Sequence, residues 1–185
     1  MDERINMKID KELLDKLTAK AKESPRLRMN LDLRNSDSDS SQRMLNAIEP
    51  GSEIPIHRHQ TTSETVVCLR GRLIEEYYDG QSKTCTESIE LSPNGPVYAL
   101  NIPAGQWHTV RALESGTVIL EMKDGGYIPT SQEDILDELT VDGRGGQGVQ
   151  RFKSSRCSSI KEGRESNCKK ESDVPYSKNL VKVQV

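Results

Sequence analysis

The 185-residue sequence predicts an all-β fold, an antiparallel barrel or sandwich carrying one N-terminal helix. Three features of the chain point there. Between Arg26 and Gly125 no apolar pattern of helical period occurs, which removes the crossover helices that parallel strands require. The same stretch breaks into eight short β-friendly segments separated by Gly, Pro, Asn or Asp. Only the segment before Pro25 spaces its apolar residues for a helix.

That helix lies in IDKELLDKLTAKAKES, where Ile9, Leu13, Leu14, Leu17 and Ala21 form a stripe and Pro25 ends it. The strands follow in order: RLRMNLDLR, QRMLNAIEP, SETVVCLRG, RLIEEYYDG, TESIELSP, VYALNIPAG, WHTVRAL and TVILEMKDGG. A last short helix is signalled by TSQEDILDEL, in which Thr130 and Glu133 have capping-box spacing. Three regions result: residues 1–25 as a helix packed on the barrel, 26–140 as the barrel itself, and 141–185 as a tail. The tail is Ser- and Gly-rich and carries a charge of +5 against −8 for the rest, so it reads as mostly disordered. Its final NLVKVQV alternates and could add an edge strand.

Composition narrows the function classes. No apolar run approaches the roughly 20 residues of a membrane helix, so a membrane partner is not expected. The N-terminus is charged and then amphipathic, unlike a secretory signal, and a cytoplasmic protein is expected. Cys68, Cys85, Cys157 and Cys168 lack CxxC spacing and read as ordinary thiols. No helix-turn-helix pattern flanks the strands and only the tail is basic, which argues against nucleic acid.

The chain's three histidines and one glutamate carry the chemistry. In PIHRHQTTSE, His57 and His59 stand two residues apart, so on a strand they share a face about 6.6 Å apart while Arg58 points the other way. The polar QTTS allows a turn that returns Glu64 beside them, and His108 opens a later strand after Pro-Ala-Gly. Neutral imidazole and carboxylate are ligands of borderline divalent metals, and a set of three His and one Glu leaves positions open for water or substrate. Manganese, iron, nickel and zinc all remain open.

The spacing Gly51, His57, His59, Glu64, Gly71 resembles the first motif of the cupin superfamily, and Pro103, Gly105, His108 the centre of its second. The second motif is incomplete at its ends, where Gly95 stands too far ahead and Ala112 occupies a position often filled by Asn. More narrowly, QRMLNAIEPG, PIHRHQTTSE and EMKDGGYIP are similar to the WbuC-type cupin metalloproteins of bacterial O-antigen and polysaccharide gene clusters. This resemblance runs from about Met7 to Asp137. It implies a double-stranded β-helix, the cupin or jelly-roll barrel, and a bound divalent ion.

Several readings of function stay open. The leading one is a metal-dependent protein acting on a sugar or sugar-nucleotide-like molecule, as an isomerase or epimerase; no general base is evident beside the ligands. An iron-dependent dioxygenase uses the same ligand set. A non-catalytic carbohydrate-binding or ligand-sensing protein would bind metal and sugar and form no product. Arg43, Asn46 and Tyr77 are candidate ligand contacts, Tyr77 because it and Tyr78 face opposite ways and one must look inward. Trp107 should face away from His108 and pack, and Arg58 should find an acidic partner behind the site. Val67 and Leu69, apolar opposite the Glu64 face, suggest a homodimer that covers them.

Overall fold

A computed structural model describes residues 7–136. Helix α1 (Lys11–Glu23) starts where the Asp10 carboxylate accepts from Leu13 N–H at 3.0 Å, an N-cap bond. It stops at Ser24, whose extended backbone leads into Pro25. Its buried stripe is Leu14, Leu17, Thr18 and Ala21. Ile9, assigned to the stripe from sequence, precedes the cap and is exposed, because Asp10 starts the helix one residue too late to include it.

All eight expected strands form: β1 (Arg28–Asp32), β2 (Ser41–Ile48), β3 (Glu64–Arg70), β4 (Leu73–Tyr78), β5 (Cys85–Leu91), β6 (Ala99–Ile102), β7 (Trp107–Ala112) and β8 (Thr117–Asp124). They pair antiparallel in two sheets, ordered β1-β2-β8-β3-β6 and β5-β4-β7. The extended segment at His57 adds to the free side of β7 by bridging His108. With it, β2-β8-β3-β6 face β5-β4-β7 and the His57 segment in the order of a jelly roll, the all-β barrel that the sequence predicts, and β1 adds a fifth strand at the edge of the larger sheet. The turn from β3 to β4 depends on Gly71, whose φ is 78° and whose missing Cβ would meet the Thr117 backbone and side chain.

Alternation along the strands builds two apolar layers. Ile48, Val66, Cys68, Leu73, Leu91, Ile102 and Ile119 fill the space between the sheets. On the outer face of the larger sheet, Leu45, Ala47 and Val118 meet Leu14, Leu17 and Ala21 of α1. Fully burying a leucine of this kind contributes about 1.5–3 kcal/mol, so the helix is held chiefly by its stripe. Arg70 clamps it as well: the guanidinium donates to Asp15 at 2.6 Å, to Leu14 O at 3.0 Å and to the Thr18 hydroxyl, and its Nε to Gly116 O at 2.9 Å.

Leu69 packs against this same helix-covered layer together with Leu120. Val67, the other residue on which the homodimer expectation rests, is half-buried and lies outside this layer. Among the described residues of the last expected helix there is a 3-10 turn, Gln132–Asp134, with Ser131 rather than Thr130 at the N-cap position and no side-chain cap bond. Ile135 then bridges His57, so residues 131–136 form a strap that pairs with the histidine segment. The tail from 141 onward, with its NLVKVQV strand, Cys157 and Cys168, lies outside the described residues.

Candidate metal centre

Four side chains converge at one end of the barrel. One ligand atom from each of His57, His59, Glu64 and His108 lies within 4.8 Å of all the others. The rings of His57 and His108 approach to 4.4 Å between centroids, those of His57 and His59 to 5.1 Å. His108 is placed by β7 and Glu64 by the first residue of β3, while His57 and His59 sit on the bridging segment. Backbone bonds hold that segment: His57 N–H donates to His108 O at 2.9 Å, His108 N–H to His57 O at 2.8 Å, and Gly105 N–H to His59 O at 2.7 Å.

The strap fixes it from behind. Arg58 N–H donates to Asp134 O at 3.0 Å, the Arg58 Nε to Asp134 Oδ1 at 3.0 Å, and the guanidinium lies 4.5 Å from the Trp107 ring. Arg58 thus has the acidic partner expected of it, and Trp107 packs away from the site.

Hydrogen bonding determines what the rings offer. The Nδ1 atoms of His57 and His108 lie 3.0 Å from Pro55 O and 2.9 Å from Gln106 O. A carbonyl can only accept, so each Nδ1 carries its proton and a neutral ring leaves Nε2 as a bare lone pair. Burial, reinforced by His108, pushes the His57 pKa down to about 4, so this ring is neutral at physiological pH. Glu64 Oε2 lies 2.9 Å from His59 Nε2 and 3.7 Å from His108 Nε2, yet it is fully buried and makes no well-directed hydrogen bond among the described residues. Burial would raise the Glu64 carboxyl, but the approach of His108 and His59 and the Lys123 charge hold it well below the carboxylate range. Lone pairs and a carboxylate that face one another without a proton between them fit a cation.

Lys123 also reaches this point. Its Nζ lies 3.0 Å from His59 Nε2 and 3.6 Å from Glu64 Oε2, because β8 pairs Lys123 directly with Glu64. Two further residues on inward-facing positions went unread in the sequence, Glu75 on β4 and Glu121 on β8. Both line a cavity of about 230 Å³ that His57 and His108 also line. Burial, then the Glu64 charge, pushes the Glu121 pKa up to about 8, and the Glu75 carboxyl is pushed well above its usual range by the same two causes. Period-two alternation from Ile119 and from Tyr77 would have found them.

The expected ligand contacts separate by the same parity. Asn46 lines the cavity and bonds Glu121. Arg43, three residues earlier, stays out of the cavity lining, with its guanidinium on Asp39 at 2.7 Å and Ser41 O at 3.1 Å. Tyr77 is the inward-facing tyrosine and packs on the core between the sheets. Cys68 is a buried thiol, pushed up to about 11 by burial, and takes no part in the ligand cluster.

Residues 9–91, under half of the chain, match a family described as a domain of unknown function, DUF6016. No curated protein matches. Among solved structures the chain is similar to KdgF from Halomonas sp., with 16% identity over 56% of this chain and 84% of that one and a TM-score of 0.44. It is also similar to the capsular polysaccharide assembling protein CapF from Staphylococcus aureus (20% identity, 60% and 32%, TM-score 0.46). A third is a variant of the oxalate decarboxylase OxdC from Bacillus subtilis (18% identity, 59% and 27%, TM-score 0.44). The match thus spans about a third or less of the CapF and OxdC chains. Likeness at this distance assigns no activity.

Proposed function

We propose that this chain is a metal-dependent cupin in which His57, His59, Glu64 and His108 hold one divalent ion, and that it acts on a small sugar-derived molecule of surface polysaccharide metabolism. The observation that carries the metal is the convergence of four ligand atoms within 4.8 Å, with two Nε2 lone pairs fixed inward by Nδ1 bonds to carbonyls. The sugar assignment draws on the sequence resemblance and on a cavity that adjoins the histidines and is lined by both carboxyls and apolar side chains.

The chain's own residues divide the work. Pro55 O and Gln106 O orient two rings, the Asp134 strap holds the segment bearing His57 and His59, and Glu64 supplies the negative charge. Lys123 donates towards His59 and Glu64 and tempers that charge. A divalent ion in this place supplies Lewis acidity towards a carbonyl or hydroxyl oxygen. The barrel interior, walled by Ile48, Val66 and Val110, limits water around the reacting group.

Metal analysis of the wild type and of His59→Ala tests the reading. The wild type should carry close to one ion per chain and the variant a small fraction of that, with its far-ultraviolet circular dichroism unchanged. Metal that binds only the folded state at about 1,000 times its Kd adds about 4 kcal/mol of stability, which the variant should lose. Equal metal content in the two proteins would overturn the assignment.

A further inference from the structure

Glu75 is the group in the cavity that the metal centre does not explain. β4 turns it inward between Leu73 and Tyr77; the residue is 1% exposed, and its Oε1 has no hydrogen-bond partner among the described residues. Native interiors seldom leave a buried polar atom so, since an unmade hydrogen bond there costs about 1–3 kcal/mol. The cavity is also lined by Asn46, Ile48, Val66 and Glu121 of the facing sheet and by Val110, which pairs directly with Glu75.

The geometry points to a ligand-binding wall: Glu75 contacts the ligand and hydrogen-bonds a hydroxyl of a small, neutral, polyhydroxylated molecule bound inside the barrel. Three properties of the cavity select that class. Its volume of about 230 Å³ takes one sugar-sized ring and no more, so a sugar nucleotide would leave its nucleotide outside. Its walls alternate apolar side chains with carboxyl and amide groups, matching the C–H faces and hydroxyl edges of a sugar. Its lining offers little to an anion, since the acidic side chains Glu75 and Glu121 both face into it. The nearby Arg28 guanidinium is already engaged by Ser52 Oγ at 3.3 Å and by Glu53 O. A carboxylate accepts from hydroxyl groups and a protonated carboxyl also donates to one, so either form suits a polyol.

The inference rests on the proposed metal centre for the rest of the site, and one experiment separates the two. The full-length protein loaded with zinc is titrated with D-galactose, L-rhamnose and the anionic D-galacturonate, followed by ligand-observed NMR, for the wild type, Glu75→Gln and Glu75→Leu. Zinc content is measured in each. At least one neutral sugar should bind the wild type with a Kd of about 10 mM or tighter. Glu75→Gln, which keeps a donor and an acceptor, should bind within about three-fold of that, and Glu75→Leu at least about ten-fold more weakly, at unchanged zinc content. The inference is overturned if Glu75→Leu binds neutral sugar as tightly as the wild type, if galacturonate binds better than both neutral sugars, or if neither neutral sugar binds the wild type. It is also overturned if Glu75→Leu loses its zinc along with the sugar, since the residue would then act through the metal centre. A wild type that binds no zinc but shows the Glu75→Leu loss of sugar supports the wall and refutes the metal reading alone.

Discussion

Replacing Glu75 by leucine should stabilise the protein, and more so as pH rises. The wild-type residue buries a carboxyl with an unpartnered Oε1 at 1% exposure, and an unsatisfied buried group of this kind costs about 1–3 kcal/mol. At about 130 described residues, each kcal/mol corresponds to roughly 3–5 °C in Tm, so a gain of roughly 3–15 °C is expected. The pH dependence follows from the direction of the shift. Burial, reinforced by the Glu64 charge, pushes the folded-state carboxyl well above its ordinary value of 4.5, so the folded chain holds a proton that the unfolded chain has released. Whatever stability Glu75 contributes is therefore present in full below pH 4.5 and is lost as pH rises through the folded value. Leucine has no proton to lose, so the gap between variant and wild type should widen with pH. Thermal unfolding in chelator from about pH 5 to about pH 9 measures that gap with metal linkage removed. A variant less stable than the wild type, or a gap that stays constant across the range, would refute the reasoning about Glu75 burial.

Two further substitutions test the surroundings of the centre. Lys123→Met removes an ammonium that lies 3.0 Å from His59 Nε2; even in bulk water a divalent ion 4 Å from such a charge is opposed by about 2 kcal/mol, so chelator competition should show metal bound roughly ten-fold tighter or more. Weaker binding would mean that Lys123 supports the ligands instead of competing for them. Arg70→Met should cost about 1–3 kcal/mol by breaking the link from Leu14 O of α1 to Gly116 O, with hydrogen exchange rising in the helix before the sheets, whereas a uniform rise would assign Arg70 to the barrel core.

What was legible in the sequence was whatever local chemistry enforces. The eight strands could be read because each is bounded by turn residues, and Gly71 shows why those boundaries hold: a positive φ and the approach of Thr117 exclude any side chain there. The centre was legible because all three histidines take part and their spacing alone brings two onto one face. Lys123, Glu75 and Glu121 were missed because an inward-facing charge looks, in sequence, like the solvent face of a strand; only pairing Lys123 with Glu64 reveals its place. Arg43 and Asn46 could not both be ligand contacts, since an odd separation sends them to opposite faces, and the face is decided by α1 covering Leu45 and Ala47. Within the described part of the final helix, Ile135 pairs with His57, a tertiary contact that no capping signal encodes.

The central claim is that three imidazoles and one carboxylate surround a single ion. X-ray absorption at the zinc edge of the zinc-loaded protein tests it directly, because outer-shell scattering counts imidazoles. The account predicts a first shell of nitrogen and oxygen at about 2.0–2.2 Å with scattering from three histidine rings. A shell containing sulfur at about 2.3 Å, or one with a single histidine or none, would contradict it.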